Sequence, residues 1–304
     1  MKIKEYKGIK VIEVPYRNVT KTYEKRELDD YKLCGTYYKG DVPFKIVQAN
    51  YDENKYNDDE SKIFEAYGEL CGNICEETKL GLKNDYAIVL TGGGCGHMIG
   101  VLGGMQQVYG KDKDIGLIYI DAHGDFNTPE TTLTNIIGGY PLAVISGLCC
   151  DEWRLGGGLE VPIKNDNIIL TDGRNLDMLE EKALKKANIT LINTESFNDK
   201  DIWKKSIDSF VDKVDVICVH IDEDILDIKH VPNHRTPEPN GPDIYTAIEN
   251  IRYIMSTGKV AAYSLLSVYH GDKNPGNEIS TLNGMRLLGS ALESWREYPS
   301  LSNI

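Results

Sequence analysis

The chain has 304 residues, 41% of them hydrophobic, with 47 acidic against 34 basic side chains and a formal charge of −13. That is enough apolar material for one large α/β domain over 1–304, and the acidic balance argues against nucleic acid as a partner, which needs a basic surface. No stretch reaches the ~18 apolar residues of a membrane span, and no apolar segment follows the charged first residues as in a signal peptide, so a soluble cytoplasmic protein is expected.

Phe44–Gln48 reads as a strand. Ile63, Tyr67, Leu70 and Ile74 recur at helical spacing inside a long helix over 58–82. A strand over 86–90 runs into the glycine-rich turn 91–96, and 98–108 looks helical. The apolar segment 115–120 is a buried strand, followed by a helix reaching Gly147. Short strands over 167–170 and 189–192 flank a helix over 178–187. A helix over 201–211 precedes a strand ending at Asp222. A helix over 242–256, a strand over 260–268 and a helix over 279–295 complete the pattern. Repeated βα units imply a largely parallel sheet with helices on both faces. The segment 228–242 is rich in Pro, Asn and Gly, which excludes a helix or interior strand and favours a rigid loop lining a pocket. Seven cysteines (34, 71, 75, 95, 149, 150 and 218), an odd number in a long chain, are expected as free thiols; Cys71 and Cys75 share a helix as ordinary thiols, and Cys149-Cys150 has no ligand spacing.

Chemistry concentrates at two strand ends. After 115–120 comes Asp121-Ala-His123-Gly-Asp125-Phe-Asn127. On an extended backbone Asp121, His123 and Asp125 share a face. About a hundred residues on, Val219-His220-Ile-Asp222-Glu-Asp224 repeats the device. Acidic loops after apolar strands are common, but paired D-x-H-x-D and H-x-D-x-D runs put four carboxylates in one place. They repel or stay unpaired without cations between them, and two ions sharing bridging carboxylates account for four better than one ion does.

These motifs resemble the ureohydrolases, the family of arginase and agmatinase. Asp121 to Pro129 is similar to the family's D-A-H-x-D-x-N-T-P. Asp222-Glu-Asp-Ile-Leu-Asp227 is similar to D-x-D-x-x-D-P, with Ile228 where Pro is usual, and Thr236 to Gly241 to G-T-P-x-x-G. Gly92 to Gly100 is similar to G-G-D-H-S-x-x-x-G. The resemblance implies a three-layer α/β/α fold with a mainly parallel sheet of about eight strands. It implies a two-manganese site, hydrolysis of a guanidino compound to urea and an amine, and a homotrimer or homohexamer.

Carried over residue by residue, Asp121 and Asp222 match the bridging carboxylates, and His123 and Asp224 the remaining ligands of one metal. Asp125 matches a ligand of the other metal and the acid that passes a proton to the leaving amine. Cys95 falls where the first ligand histidine stands, with His97 two positions on; a small loop adjustment brings either inward. Sulfur favours zinc or iron over manganese, and a position just before a helix N-terminus lowers a thiol pKa. Ser267 replaces the guanidinium-gripping glutamate, and Gly138 the proton-shuttle histidine. Glu238 or Glu278 then stands for the acid, and His220 or His270 for the base. Asn127, Thr132 and Thr134 match residues that hold an α-carboxylate, and Asp177 one that takes the α-amino group, so an arginine-like amino acid is expected. Loss of the glutamate favours the less basic N-hydroxyarginine, releasing hydroxyurea in place of urea. Pro237-Glu-Pro239 leaves an agmatinase open, and the three substitutions leave open a catalytically impaired binding or regulatory protein. A deacetylase on the related fold lacks the paired motifs.

Overall fold

A computed structural model describes residues 6–14, 19, 44–48, 52, 55, 59–232, 234–268 and 277–301. Among these residues eight strands form one sheet: β1 (Gly8–Val14), β2 (Phe44–Gln48), β3 (Tyr86–Gly92), β4 (Ile115–His123), β5 (Ile168–Asn175), β6 (Thr190–Ile192), β7 (Val216–Asp222) and β8 (Val260–Leu266). Their order is β2-β1-β3-β8-β7-β4-β5-β6, and every pairing is parallel. The expected three-layer architecture is therefore observed.

Strand alternation explains why both faces of this sheet are covered. Ile88 and Leu90 of β3, with Leu117 and Tyr119 of β4, enter one core. Ala87 and Val89, with Ile118 and Ile120, enter the other. Strands buried on both sides read as near-continuous apolar runs, as these do. The first core is closed by α1 (Ile63–Lys83) and α2 (Met98–Tyr109), through Leu70, Ile74, Ile99 and Leu102. These two helices pack closely because Gly100 carries no side chain; a Cβ there would stand 2.3 Å from the Cys71 carbonyl oxygen. The second core is closed by α7 (Lys200–Val211), α8 (Ile244–Ser256) and α9 (Asn277–Leu301), through Ile207, Phe210, Ile251 and Leu288.

The remaining helices are α3 (Pro141–Ile145), α4 (Asp151–Gly156), α5 (Met178–Ala187) and α6 (Thr194–Asn198). The expected helix reaching Gly147 is only a 3-10 turn at Ile137–Gly139 followed by the short α3; Gly138, Gly139 and Pro141 interrupt any longer one. β1 had no counterpart in the sequence reading because Lys10 and Glu13 interrupt its apolar pattern. Both are buried, and the Lys10 ammonium donates to the Glu77 carbonyl at 2.7 Å while pairing with its carboxylate. Among the described residues Cys71, Cys75, Cys95, Cys149, Cys150 and Cys218 are free thiols, as expected; Cys34 lies outside them. No helix among the described residues is long and apolar enough to cross a membrane.

Candidate metal centre and substrate pocket

The sheet order sets β3, β8, β7, β4 and β5 side by side, so their carboxyl ends open on one place, where ligands of such sheets bind. Cys95 follows β3 on a 3-10 turn, Asp121 and His123 close β4, Asp222 closes β7, Asp224 lies on the next 3-10 turn, and Ser267 follows β8. The pocket there encloses about 870 Å³. Asp125 is set beyond β4 by a left-handed backbone (φ 47°), a conformation that Asp tolerates better than most residues. Its carbonyl accepts the Leu142 and Ala143 N–H groups at the start of α3, at 2.8 and 3.2 Å. The pocket floor and the short helix thus fix each other.

Three groups of side chains have ligand atoms within 4.8 Å of one another: Asp121, His123 and Asp224; Asp222, Asp224 and His234; and Cys95, Asp121 and His220. His123 Nδ1 lies 3.1 Å from Asp224 Oδ2 and 3.4 Å from Asp121 Oδ1, and its Nε2 lies 3.3 Å from Glu238 Oε1. His234 Nε2 lies 3.4 Å from Asp222 Oδ1, and the Thr236 hydroxyl donates to Asp224 Oδ2 at 2.9 Å. The Cys95 thiol donates to Asp222 Oδ2 at 2.8 Å. The Tyr119 hydroxyl donates to Asp125 Oδ2 at 2.5 Å.

Burial first, and charge crowding after it, shift the titration of this cluster. Burial, then Asp224, Asp125 and Asp222, push Asp121 well above the usual carboxylate range, and burial does the same to Asp125. Burial also opposes ionisation of Asp222, but the hydrogen bond and charge of His234 outweigh it and hold that carboxyl low. His234 rises in turn to about 9, burial opposing and Asp222 prevailing. Asp121, Asp125, Asp222 and Asp224 are each at most 6% exposed. Four such carboxylates confined together are the donor set of hard divalent cations, so the residues fit a pair of metal ions.

Above the floor lies a polar rim. Asn127 Nδ2 donates to Asp177 Oδ2 at 3.1 Å, and the Thr131 hydroxyl donates to Asn127 Oδ1 at 3.0 Å. Glu180 ties the two loops together: its carboxylate accepts the Phe126 N–H at 2.8 Å and the Asp177 N–H at 3.1 Å. Arg174 anchors the Pro-rich loop. Its guanidinium reaches Asp172, at 3.0 Å, and the carbonyls of Asp224, Ile225, Glu238 and Pro239.

Most residues singled out from the sequence meet here. Cys95, Asp121, His123, Asp125, Asn127, Thr132, Thr134, Asp177, Asp222, Asp224 and Glu238 all line the pocket, as do Gly138 and Ser267. Cys95, not His97, points at the acids; His97 turns back, its Nδ1 accepting the Gly94 N–H at 2.9 Å. The expected acidification of Cys95 is overturned: burial, then Asp222, Asp125 and Asp121, push the thiol well above its usual value. His220 is fully buried against Tyr119 and does not line the pocket, so it is out of reach as a base. Glu278 stands exposed on α9 away from the pocket, and His270 lies outside the described residues. His234, Tyr119, Glu180 and Arg174 were not singled out from the sequence. Tyr119 stands two residues before Asp121 on the same face of β4, and Glu180 three after Asp177 at capping-box spacing, signals that could have found both; His234 and Arg174 are brought in by tertiary contact.

The chain matches the Arginase family model over residues 10–291. It is 28% identical over 207 residues to an arginase of Bacillus subtilis (strain 168), covering 66% of each chain. It is 30% identical over 151 residues to N(omega)-hydroxy-L-arginine amidinohydrolase of Streptomyces lavendulae, covering 50% of each. The alignments thus span just under two thirds and one half of those relatives' own lengths. The solved arginase from Bacillus caldovelox superposes with a TM-score of 0.80 at 20% identity, over 94% of this chain and 98% of that one, a likeness of fold.

Proposed function

The chain belongs to the arginase family, and on that premise we propose that it hydrolyses the guanidino C–N bond of an arginine-like amino acid, with the N-hydroxyguanidine form as its better substrate. The observation that carries this reading is the stacking of two sites in one pocket: a floor of four buried carboxylates and a rim where Asn127 meets Asp177. The family is one of binuclear metal enzymes. Asp121, Asp222, His123 and Asp224 would hold one ion, and Asp121, Asp125, Asp222 and Cys95 the other. When bound, such ions acidify water and offset the carboxylate charge.

The remaining chemistry belongs to the chain. Asp125 faces the pocket with its carboxylate oriented by Tyr119, in place to carry a proton to the departing nitrogen. Asn127, Thr132 and Thr134 present donors for an α-carboxylate, and Asp177 an acceptor for an α-ammonium group. Glu180 keeps the Asn127 and Asp177 loops at a fixed separation, which fixes the distance from amino-acid end to reacting carbon. Ser267 gives β8 a neutral terminus where a carboxylate would hold a guanidinium. The less basic N-hydroxyguanidine loses less from that exchange than a fully protonated guanidinium does. The 30% identity to a hydroxyarginine amidinohydrolase supports the same choice.

Urea, hydroxyurea and amine release assayed over arginine, N-hydroxyarginine, agmatine, guanidinobutyrate and formiminoglutamate tests the proposal. The highest kcat/KM is expected for N-hydroxyarginine, with ornithine as the second product. Efficient turnover of plain arginine with N-hydroxyarginine poorer refutes the preference. Turnover of none of them, with metal bound, favours a binding protein on this fold.

A further inference from the structure

Beneath the pocket, His220 makes an arrangement that the reaction above does not use. The Ser264 hydroxyl lies 3.3 Å from the Val219 carbonyl, to which it can donate, and 3.0 Å from His220 Nδ1. In that orientation its oxygen accepts from Nδ1, and Nε2 is left with a free lone pair. That Nε2 is buried and has no hydrogen-bond partner among the described residues. The ring is pinned by Tyr119, centroid to centroid 4.2 Å, and His220 is 0% exposed. A buried lone pair without a donor needs a physical reason. One ring nitrogen of His220, Cys95 Sγ and an Asp121 oxygen lie within 4.8 Å of one another, and Nε2 is the nitrogen left available.

We infer that Cys95, Asp121 and His220 form a soft cation site for zinc, so that the two ions of the pocket are unlike. This rests on the two-ion reading above and changes one ion's ligands and identity. Thiolate, imidazole and one carboxylate suit zinc, whereas Asp121, His123 and Asp224 offer two carboxylates and one imidazole, a harder set open to manganese. Asp121 belongs to both groups and joins them. The Ser264 hydroxyl acts as the outer partner that fixes tautomer and ring plane in metal-bound histidines. Binding displaces to solvent the thiol proton that Cys95 donates to Asp222.

Metal-free full-length protein loaded with cobalt(II) tests this directly. The wild type is expected to bind two equivalents and to show a near-ultraviolet thiolate-to-cobalt charge-transfer band. Cys95→Ser should lose that band and one equivalent. Ser264→Ala should weaken zinc binding about 10–100-fold, with circular dichroism checking that it is folded. Loaded from a mixture, the wild type should hold one zinc and one manganese by elemental analysis. Two equivalents of cobalt without the band, or two of manganese from the mixture, overturn the soft site and leave the two-ion reading standing. No bound cobalt overturns the two-ion reading, and this inference with it. The wild-type spectrum decides even if a variant fails to fold.

Discussion

The floor and the rim of the pocket are built on opposite principles. On the floor, Asp121, Asp125, Asp222 and Asp224 are buried and crowded, with burial and mutual repulsion holding Asp121 and Asp125 far from their ordinary ionisation. On the rim, Asn127, Thr131 and Asp177 are paired with one another by ordinary hydrogen bonds. An arrangement that is electrostatically unfavourable alone stores its compensation in what it binds. A self-satisfied polar rim does not, and can select among substrates at little cost to the fold. The floor should therefore control metal content and kcat, and the rim KM and selectivity.

Substitutions at four positions can break that division. Asp121→Asn, which touches both ion groups, should abolish metal retention and turnover together; activity surviving in metal-depleted variant would dissolve the distinction. Arg174→Ala should be the most costly change to the fold. It leaves the buried Asp172 without its charge partner, holding only the Thr194 hydroxyl and a backbone N–H, and frees the loop bearing Glu238, a loss of about 3–5 kcal/mol measurable by urea unfolding. Arg174→Lys should not rescue it, because an ammonium cannot fork to so many acceptors.

Asp125→Asn should lower kcat by about 10²–10⁴-fold with metal bound. Asp125 has a raised folded-state pKa, so its favourable contribution is present below the ordinary carboxylate value of 3.8 and is lost as pH rises through the raised one. Metal-free Asp125→Asn should thus melt above metal-free wild type, by a margin that grows with pH. An unchanging margin would mean that repulsion on the floor is unimportant. The smallest effect belongs to the rim. Asp177→Ala should raise KM for arginine-like amino acids about 2–13-fold, the worth of one hydrogen bond, with little change for guanidinobutyrate, which has no α-amino group. Equal effects on both compounds would detach Asp177 from the amino-acid end.

Legibility followed the same division. Alternation along β4 identified Asp121 and His123, although a register shift between them breaks the strict period and Asp125 lies beyond the strand. Asn127, Thr132, Thr134 and Asp177 of the rim were found by motif resemblance and do line the pocket. What escaped was whatever arrives from elsewhere. His234 enters from an irregular loop, Tyr119 reaches Asp125 along its own strand from the core side, and Glu180 reaches from the first turn of α5 to bind the neighbouring loop. Of these only His234 lacks a spacing that points at the site, since Tyr119 alternates with Asp121 on β4 and Glu180 follows Asp177 by three.

By itself the sequence determined the βα alternation, the parallel sheet, the acidic strand ends and the family they resemble, because each is written in local periodicity or contiguous motif. Tertiary structure alone decided that Cys95 turns in while His97 turns away, and that His220 lies under the floor rather than in the pocket. Those outcomes depend on partners far along the chain, Asp222 lying 127 residues from Cys95 and Ser264 lying 44 from His220. A side chain's direction at a strand end is settled by which neighbouring strand supplies its contacts, and that is a property of sheet order, not of spacing.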